Sequence, residues 1–182
     1  MDKLTEVKRV RAEADLLFPE SRVNKALNQM ARAISDELAE RNPLLLCVLT
    51  GGIIPCAELM QRLDFPLTGD VVHASRYQEA TSGAELEWIT QPRTPLRNRV
   101  VLIVDDILDE GLTLKAIHQY CVEQGAGAVY SAVLIDKMLG REKPYRADFV
   151  GIEAENRYLF GCGMDYKGYW RNLPAIYALK ES

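Results

Sequence analysis

The chain has 182 residues, 48% hydrophobic and 26% charged, with 22 Lys+Arg against 26 Asp+Glu for a net charge of -4. At roughly 150 residues per domain this length predicts about one domain, large enough to bury a core without disulfide staples. The composition excludes disordered, collagenous, coiled-coil and disulfide-miniprotein classes, and an acidic balance offers no basic footprint for duplex nucleic acid.

The first forty residues read as helical. In 21–42 (SRVNKALNQMARAISDELAERN), Val23, Leu27, Met30, Ile34 and Leu38 recur at three- and four-residue steps, with Ser21 placed to cap. Pro43 ends that pattern, and 44–49 (LLLCVL) is a continuous apolar run, as in a strand covered on both faces. Thr50, Gly51 and Gly52 break it, and 53–63 resumes a helical pattern. A strand at 70–77 precedes the polar stretch 78–83, which has few apolar anchors and reads as mobile; 86–89 returns as the second arm of a hairpin-like excursion. After a connector at 92–98 comes 100–104 (VVLIV), the clearest buried strand. A helix over 113–124 ends near Gly125, and 128–135 is a third buried strand. Shorter strands follow at 148–152 and 158–160, and 175–179 closes the chain. Buried strands alternating with helices predict an α/β fold on a parallel-rich sheet. There is no internal repeat and no low-complexity segment.

The cysteines Cys47, Cys56, Cys121 and Cys162 are widely spaced, without a Cys-x-x-Cys pair, and His73 and His118 are far from one another. This argues against a structural zinc and for buried, reduced thiols of an intracellular protein. The N-terminal MDKLTEVKRVRAEADLLF lacks the apolar core of a signal peptide. No run approaches the ~18 apolar residues of a membrane span. The expected setting is cytoplasmic, with no membrane and no nucleic-acid partner.

The segment that carries chemistry is 100–113, VVLIVDDILDEGLT. An apolar strand runs into Asp105 and Asp106, and then Asp109, Glu110, Gly111, Leu112 and Thr113 open a helix. In open α/β sheets ligands bind beyond the carboxyl ends of the strands, where these acids are expected to lie. A helix start rich in Gly and Thr offers N–H groups, a hydroxyl and the positive dipole end to a phosphate. Adjacent carboxylates suit ribose hydroxyls or a divalent cation. Capping alone explains one acid at a helix start, but four acids in 105–110 exceed what capping needs. Their mutual repulsion calls for a compensating ligand or metal.

VLIVDDILDEGLT resembles the ribose-phosphate-binding signature of the type I phosphoribosyltransferases. The segments 46–52 (LCVLTGG), 75–83 (SRYQEATSG), 133–137 (VLIDK) and 147–174 (ADFVGIE through RYLFGCGMDYKGYWRNLP) are similar, in order and spacing, to the hypoxanthine-guanine phosphoribosyltransferases. The resemblance covers most of the chain from about residue 44 onward. It implies a central parallel-rich sheet flanked by helices, with a small hood built from N- and C-terminal segments, all one domain over 1–182. It also implies transfer of 5-phosphoribose from phosphoribosyl pyrophosphate to N9 of a 6-oxopurine, with Mg2+ present, in a homodimer or homotetramer.

Residue by residue, Asp105 and Asp106 match the acids that hold the ribose hydroxyls and help place the magnesium-bound substrate. Asp109, Glu110, Gly111, Leu112 and Thr113 match the 5′-phosphate cradle, and Asp109 also matches the residue facing purine N7, a general acid/base. Relatives often carry Thr where Glu110 stands, and an acid beside a phosphate is unfavourable, so the Glu110 side chain is expected to point away. Thr50, Gly51 and Gly52 match the pyrophosphate loop, and the family suggests a cis Leu49–Thr50 peptide. Lys137 matches the donor to purine O6, Tyr158 the aromatic stacked on the base, and Leu159 the backbone that reads the base edge. Asp165 matches an acid near the purine 2-position that helps hold a second magnesium, and Arg171 an arginine on pyrophosphate. Ser75, Arg76 and Tyr77 match the start of a lid that excludes water.

Three plainer readings compete. Lys137 after a strand is ordinarily a solvated lysine, Tyr158 an ordinary core aromatic, and Arg171 beside Trp170 a surface cation–π pair. The alternatives at the level of function are a xanthine-preferring relative and a non-catalytic regulator that senses phosphoribosyl pyrophosphate. The acidic charge, the lack of a helix-turn-helix extension and the joint presence of Asp109, Lys137 and Asp165 weigh against the regulator.

Overall fold

The computed structural model describes residues 2–76 and 86–180. In chain order the elements are α1 (Lys3–Glu13), β1 (Asp15–Phe18), α2 (Glu20–Leu38), β2 (Leu44–Val48), α3 (Ile53–Met60) and β3 (Thr68–Arg76). Next come β4 (Leu86–Thr90), β5 (Val100–Leu108), α4 (Leu112–Glu123), β6 (Ala128–Met138), β7 (Phe149–Glu155), β8 (Leu159–Phe160) and β9 (Ile176–Ala178). Six strands form the central sheet in the order β4-β3-β2-β5-β6-β7, parallel throughout except for the β3–β4 hairpin. The α/β, parallel-rich expectation holds. A second, antiparallel sheet, β1-β9-β8, joins segments from the two ends of the chain.

The two faces of the central sheet are sorted by side-chain alternation. Leu44, Leu46, Val48, Val101, Ile103 and Val133 share one cluster with Leu114, Ile117 and Cys121 of α4. Leu45, Cys47, Leu102, Val104, Ala132 and Leu134 point the other way, into a cluster with the α2 stripe Val23, Leu27, Met30, Ile34 and Leu38. Burial on both faces explains why β2 is apolar at every position rather than at every second one.

Several boundaries differ from the sequence reading. The N-terminal helix is interrupted by β1, a strand too short to show in a helical pattern and visible only through its pairing with β9. Pro19, not Ser21, precedes α2, and no side chain caps it; proline's fixed φ starts the helix two residues earlier than the hydroxyl signal suggests. Helix α2 stops at Leu38 and a 3-10 turn, Ala39–Arg41, leads to Asn42 with φ 46°, so the chain has left the α-helix before Pro43. Helix α3 ends at Met60 rather than continuing to residue 63. Strand β5 runs to Leu108, well past the apolar run that announces it.

All four cysteines are buried and free. Burial pushes the Cys121 thiol up to about 12, whereas an unfolded cysteine ionises near 8.5. Above that pH the unfolded chain therefore holds fewer protons than the folded one, and folding stability falls as pH rises. The expected slope from this thiol is up to about 1.4 kcal/mol per pH unit. Urea unfolding of wild type and Cys121→Ala between pH 8.5 and 10.5 checks it: the stability gap should close as pH rises, and a constant gap would show that Cys121 ionises in the folded chain.

Candidate active site

The site is made by a step in the central sheet. Strand β2 pairs with β5 only as far as Cys47 and Val104, while the β5–β6 ladder continues through Ile107 and Leu108. Asp105 and Asp106 thus lie inside β5, beyond the end of β2, rather than after the strand as the sequence suggested. They are 9% and 7% exposed. The Asp106 N–H donates to Asp105 Oδ1 at 2.9 Å. Burial first, and then the neighbouring Asp106 charge, pushes Asp105 well above the usual carboxylate range. Burial raises Asp106 as well, against its bond to Asp105 and the pull of the Arg171 charge.

Two cavities open on this step. The larger, about 440 Å³, is lined by Leu49, Thr50, Gly51, Ala74, residues 105–114 and Arg171. The smaller, about 220 Å³, is lined by Asp106, Ile107, Asp109, Lys137, Tyr158, Leu159, Met164 and Asp165. Asp106, Ile107 and Asp109 border both, so they form the wall between them.

Strand β5 ends at a turn that reaches α4 through Gly111, whose φ of 84° suits glycine alone. A helix leaves its first N–H groups without intrahelical partners, and in α4 the residues concerned, Leu112, Thr113 and Leu114, line the larger cavity. Opposite lies the 50–52 turn, entered by a cis Leu49–Thr50 peptide, as the resemblance implied. A Cβ on Gly51 would sit 2.1 Å from Asp106 Oδ2, and one on Gly163 2.1 Å from the Gly51 carbonyl oxygen. The backbone therefore lies against the carboxylates with no room for a side chain. Glu110 pairs with Arg141 at 3.4 Å, which turns its carboxylate toward the 139–147 loop although the residue still borders the larger cavity.

In the smaller cavity Lys137 Nζ donates to Asp109 Oδ2 at 2.7 Å, bridging the ends of β6 and β5. Tyr158 is exposed, stands edge-on to Tyr166 with centroids 5.9 Å apart, and its hydroxyl donates to the Asp165 carbonyl at 3.1 Å. Leu159 is buried in β8 opposite Ala178 of β9, and the Leu179 N–H donates to the Tyr158 carbonyl at 3.0 Å. The Asp165 carboxylate is held by the Gly168 N–H at 2.7 Å and by the Arg171 guanidinium. Arg171 Nη1 also donates to the Gly163 carbonyl at 2.6 Å.

Of the residues singled out in the sequence, Thr50, Gly51, Asp105, Asp106, Asp109, Glu110, Gly111, Leu112, Thr113 and Arg171 line one cavity, and Lys137, Tyr158, Leu159 and Asp165 the other. Gly52 lies under the turn at the start of α3, where a Cβ would meet the Val48 and Val104 carbonyl oxygens at 2.5 and 2.7 Å. Ser75 and Arg76 end β3, while Tyr77 and the expected lid at 78–83 fall outside the described residues. Ile107, Met164 and Gly163 were missed. Ile107 and Met164 carry no chemical signal, and Gly163 needed only its positive φ of 103° to be recognised.

Among the described residues no group of three or more His, Cys, Asp or Glu side chains is arranged to hold a metal by itself, and no helix is long and apolar enough to cross a membrane.

The phosphoribosyl transferase domain family matches residues 15–167. The chain is 32% identical to a hypoxanthine-guanine-xanthine phosphoribosyltransferase of Tritrichomonas foetus, over 92% of this chain and 92% of that protein. It is 32% identical to a hypoxanthine-guanine phosphoribosyltransferase of Bacillus subtilis, over 92% and 93%. The hypoxanthine phosphoribosyltransferase of Trypanosoma cruzi, solved in complex with the product IMP, superposes with a TM-score of 0.84 at 27% identity, over 92% of this chain and 95% of that one.

Gly163→Ala tests how closely the backbone is held. The substitution meets both a left-handed φ and the Gly51 carbonyl, and should cost about 2–5 kcal/mol of stability. Gly168→Ala, at φ 87° with nothing within 4 Å of the added carbon, should cost only about 1–2 kcal/mol. Denaturant titration compares them, and equal losses would mean that Gly163 is not pressed against the 50–52 turn.

Proposed function

This chain belongs to the phosphoribosyltransferase family, and we propose that it serves purine salvage by transferring 5-phosphoribose from phosphoribosyl pyrophosphate to N9 of hypoxanthine or guanine. The products are IMP or GMP and pyrophosphate. The observation that carries this reading is the pair of cavities sharing Asp106, Ile107 and Asp109 as a wall. A polar, helix-headed chamber beside a small aromatic-edged one is what joining a phosphoribosyl group to a flat base requires.

The reaction breaks the C1′–O bond to pyrophosphate and forms a C1′–N9 bond through a loose ribosyl centre bearing positive charge. Positioning and charge stabilisation dominate such a step. The α4 N-terminal N–H groups and the Thr113 hydroxyl hold the 5′-phosphate. Asp105 and Asp106 hold the ribose hydroxyls. The 50–52 backbone and Arg171 hold pyrophosphate, Arg171 exchanging Asp165 for phosphate oxygens. As N9 bonds to C1′ the imidazole ring becomes cationic and its N7–H acidic, and the Asp109 carboxylate takes that proton. Lys137 leaves Asp109 to donate to O6, while Tyr158 covers the face of the base. Adenine has an amino group at that position, and a site built to donate there rejects it.

The oxygen-only donor set fits magnesium. Mg2+ is commonly held by one or two carboxylates plus substrate phosphates rather than by an all-protein cage. Asp105 and Asp106 supply such carboxylates in the larger cavity, with Asp165 in the smaller one that Asp106 also borders. When bound, the ion neutralises charge on the leaving pyrophosphate.

A homodimer or homotetramer is part of the same proposal, supported by exposed Ile53, Met60 and Val71 around an apolar groove on α3 and β3. Four free, buried cysteines support a cytoplasmic setting. One observation favours a second reading, turnover of xanthine as well, namely the name of the Tritrichomonas relative.

The test is nucleotide formation with Mg2+, phosphoribosyl pyrophosphate and each base separately. Turnover of hypoxanthine and guanine without adenine is expected, the xanthine rate decides the second reading, and tight binding of phosphoribosyl pyrophosphate with no turnover would overturn both. In the same assay Lys137→Met should raise KM for the base far more than KM for phosphoribosyl pyrophosphate; equal losses would remove Lys137 from the base site. Asp109→Asn should keep the fold and lower kcat by roughly 10²–10⁴, and an unchanged kcat would sink its acid/base role.

A further inference from the structure

The loop between β6 and β7 buries a charge that the reaction as derived does not use. The side chain of Lys143 is only 9% exposed, although the loop that carries it lies on the surface. Lysine is almost never buried unless it is paired. Its ammonium donates to the Leu108 carbonyl at 2.7 Å and to the Asp136 carboxylate. These two partners are not arbitrary. Leu108 and Asp136 face each other in the last rung of the β5–β6 ladder. The next residue on each strand, Asp109 and Lys137, forms the 2.7 Å pair that borders the base cavity.

Lys143 therefore staples the rung directly behind the pair proposed to read the purine. The staple is needed because, among the described residues, β5 has no strand partner on its β2 side beyond Val104. Its end is flanked by β6 alone, and the Leu108 carbonyl takes its hydrogen bond from a side chain. The phosphate-binding turn has other supports: Tyr145 packs within 3.3 Å of the Gly111 Cβ position, and α4 begins there. Arg141, on the same loop, ties Glu110 only at the surface.

We propose that Lys143, held by Asp136, is a positioning residue that sets the separation of Asp109 and Lys137 and so governs affinity for the purine base rather than for phosphoribosyl pyrophosphate. The proposal rests on the function argued above. Displacing a binding pair by about 1 Å costs up to about a hundredfold.

The experiment is steady-state kinetics on the full chain. Lys143→Met keeps the aliphatic stem and removes the donors. It should raise KM for hypoxanthine and guanine by about tenfold to a hundredfold and leave KM for phosphoribosyl pyrophosphate within about twofold. Lys143→Arg, which can still donate to both partners, should recover most of the loss. An unchanged base KM, or a parallel rise for both substrates, overturns the proposal. Should Lys143→Met fail to fold because it strands a half-buried carboxylate, the Asp136→Asn/Lys143→Met double variant leaves no lone charge and is read by the same criteria. Wild type runs beside the variants. A wild type inactive on every base overturns the function and this proposal together, whereas an active wild type with indifferent variants overturns this proposal alone.

Discussion

The β5–β6 ladder outruns its β2 neighbour, and the site depends on that inequality of strand length. Where β2 turns away at residues 50–52, one flank of β5 has no strand partner among the described residues, and the sheet presents backbone and carboxylates there. Core packs on both faces of the sheet at the step, with Val104 in the α2-side cluster and Leu108 in the α4-side cluster. The notch is therefore rigid on one side and open on the other. The absence of a side chain at Gly51 and Gly163 lets the opposing loops close to within contact of Asp106.

The charges around this notch are held in pairs. Asp109 with Lys137 and Asp165 with Arg171 satisfy one another. In the proposed reaction each pair is exchanged for substrate contacts: Arg171 trades a carboxylate for phosphate oxygens, and Asp109 and Lys137 trade one another for hydrogen bonds to the base. Asp105 and Asp106 differ, because they are adjacent and buried: burial raises the protonation tendency of both, and the Asp106 charge raises that of Asp105 further. A cation or a set of hydroxyl donors relieves it, which is the chemistry a magnesium-bound ribosyl phosphate supplies.

Much of this was legible in one dimension. The apolar runs at 44–49, 100–104 and 128–135 reappear as β2, β5 and β6, because strands buried on both faces have few polar positions to blur them, Ser131 being the exception in β6. The α2 stripe of Val23, Leu27, Met30, Ile34 and Leu38 is buried throughout, since helical spacing maps directly onto one face. The residues of 105–113 line a cavity because they are consecutive at a strand–helix junction. Strand β1 was illegible because its partner β9 lies at the far end of the chain.

The sequence by itself determined the α/β alternation, the core faces and which residue types carry chemistry, since periodicity and local motifs are properties of neighbours along the chain. Resemblance along the chain added the order of the functional segments. Only the tertiary structure decided that Asp105 and Asp106 sit within a strand and not after it, because that depends on how far β6 keeps pairing with β5. Only it brought Lys137 to Asp109 and Arg171 to Asp165, and only it buried Lys143 against Leu108 and Asp136. These contacts join strand ends and loops far apart in sequence, and their geometry is fixed by parallel register and loop packing, which no periodicity records.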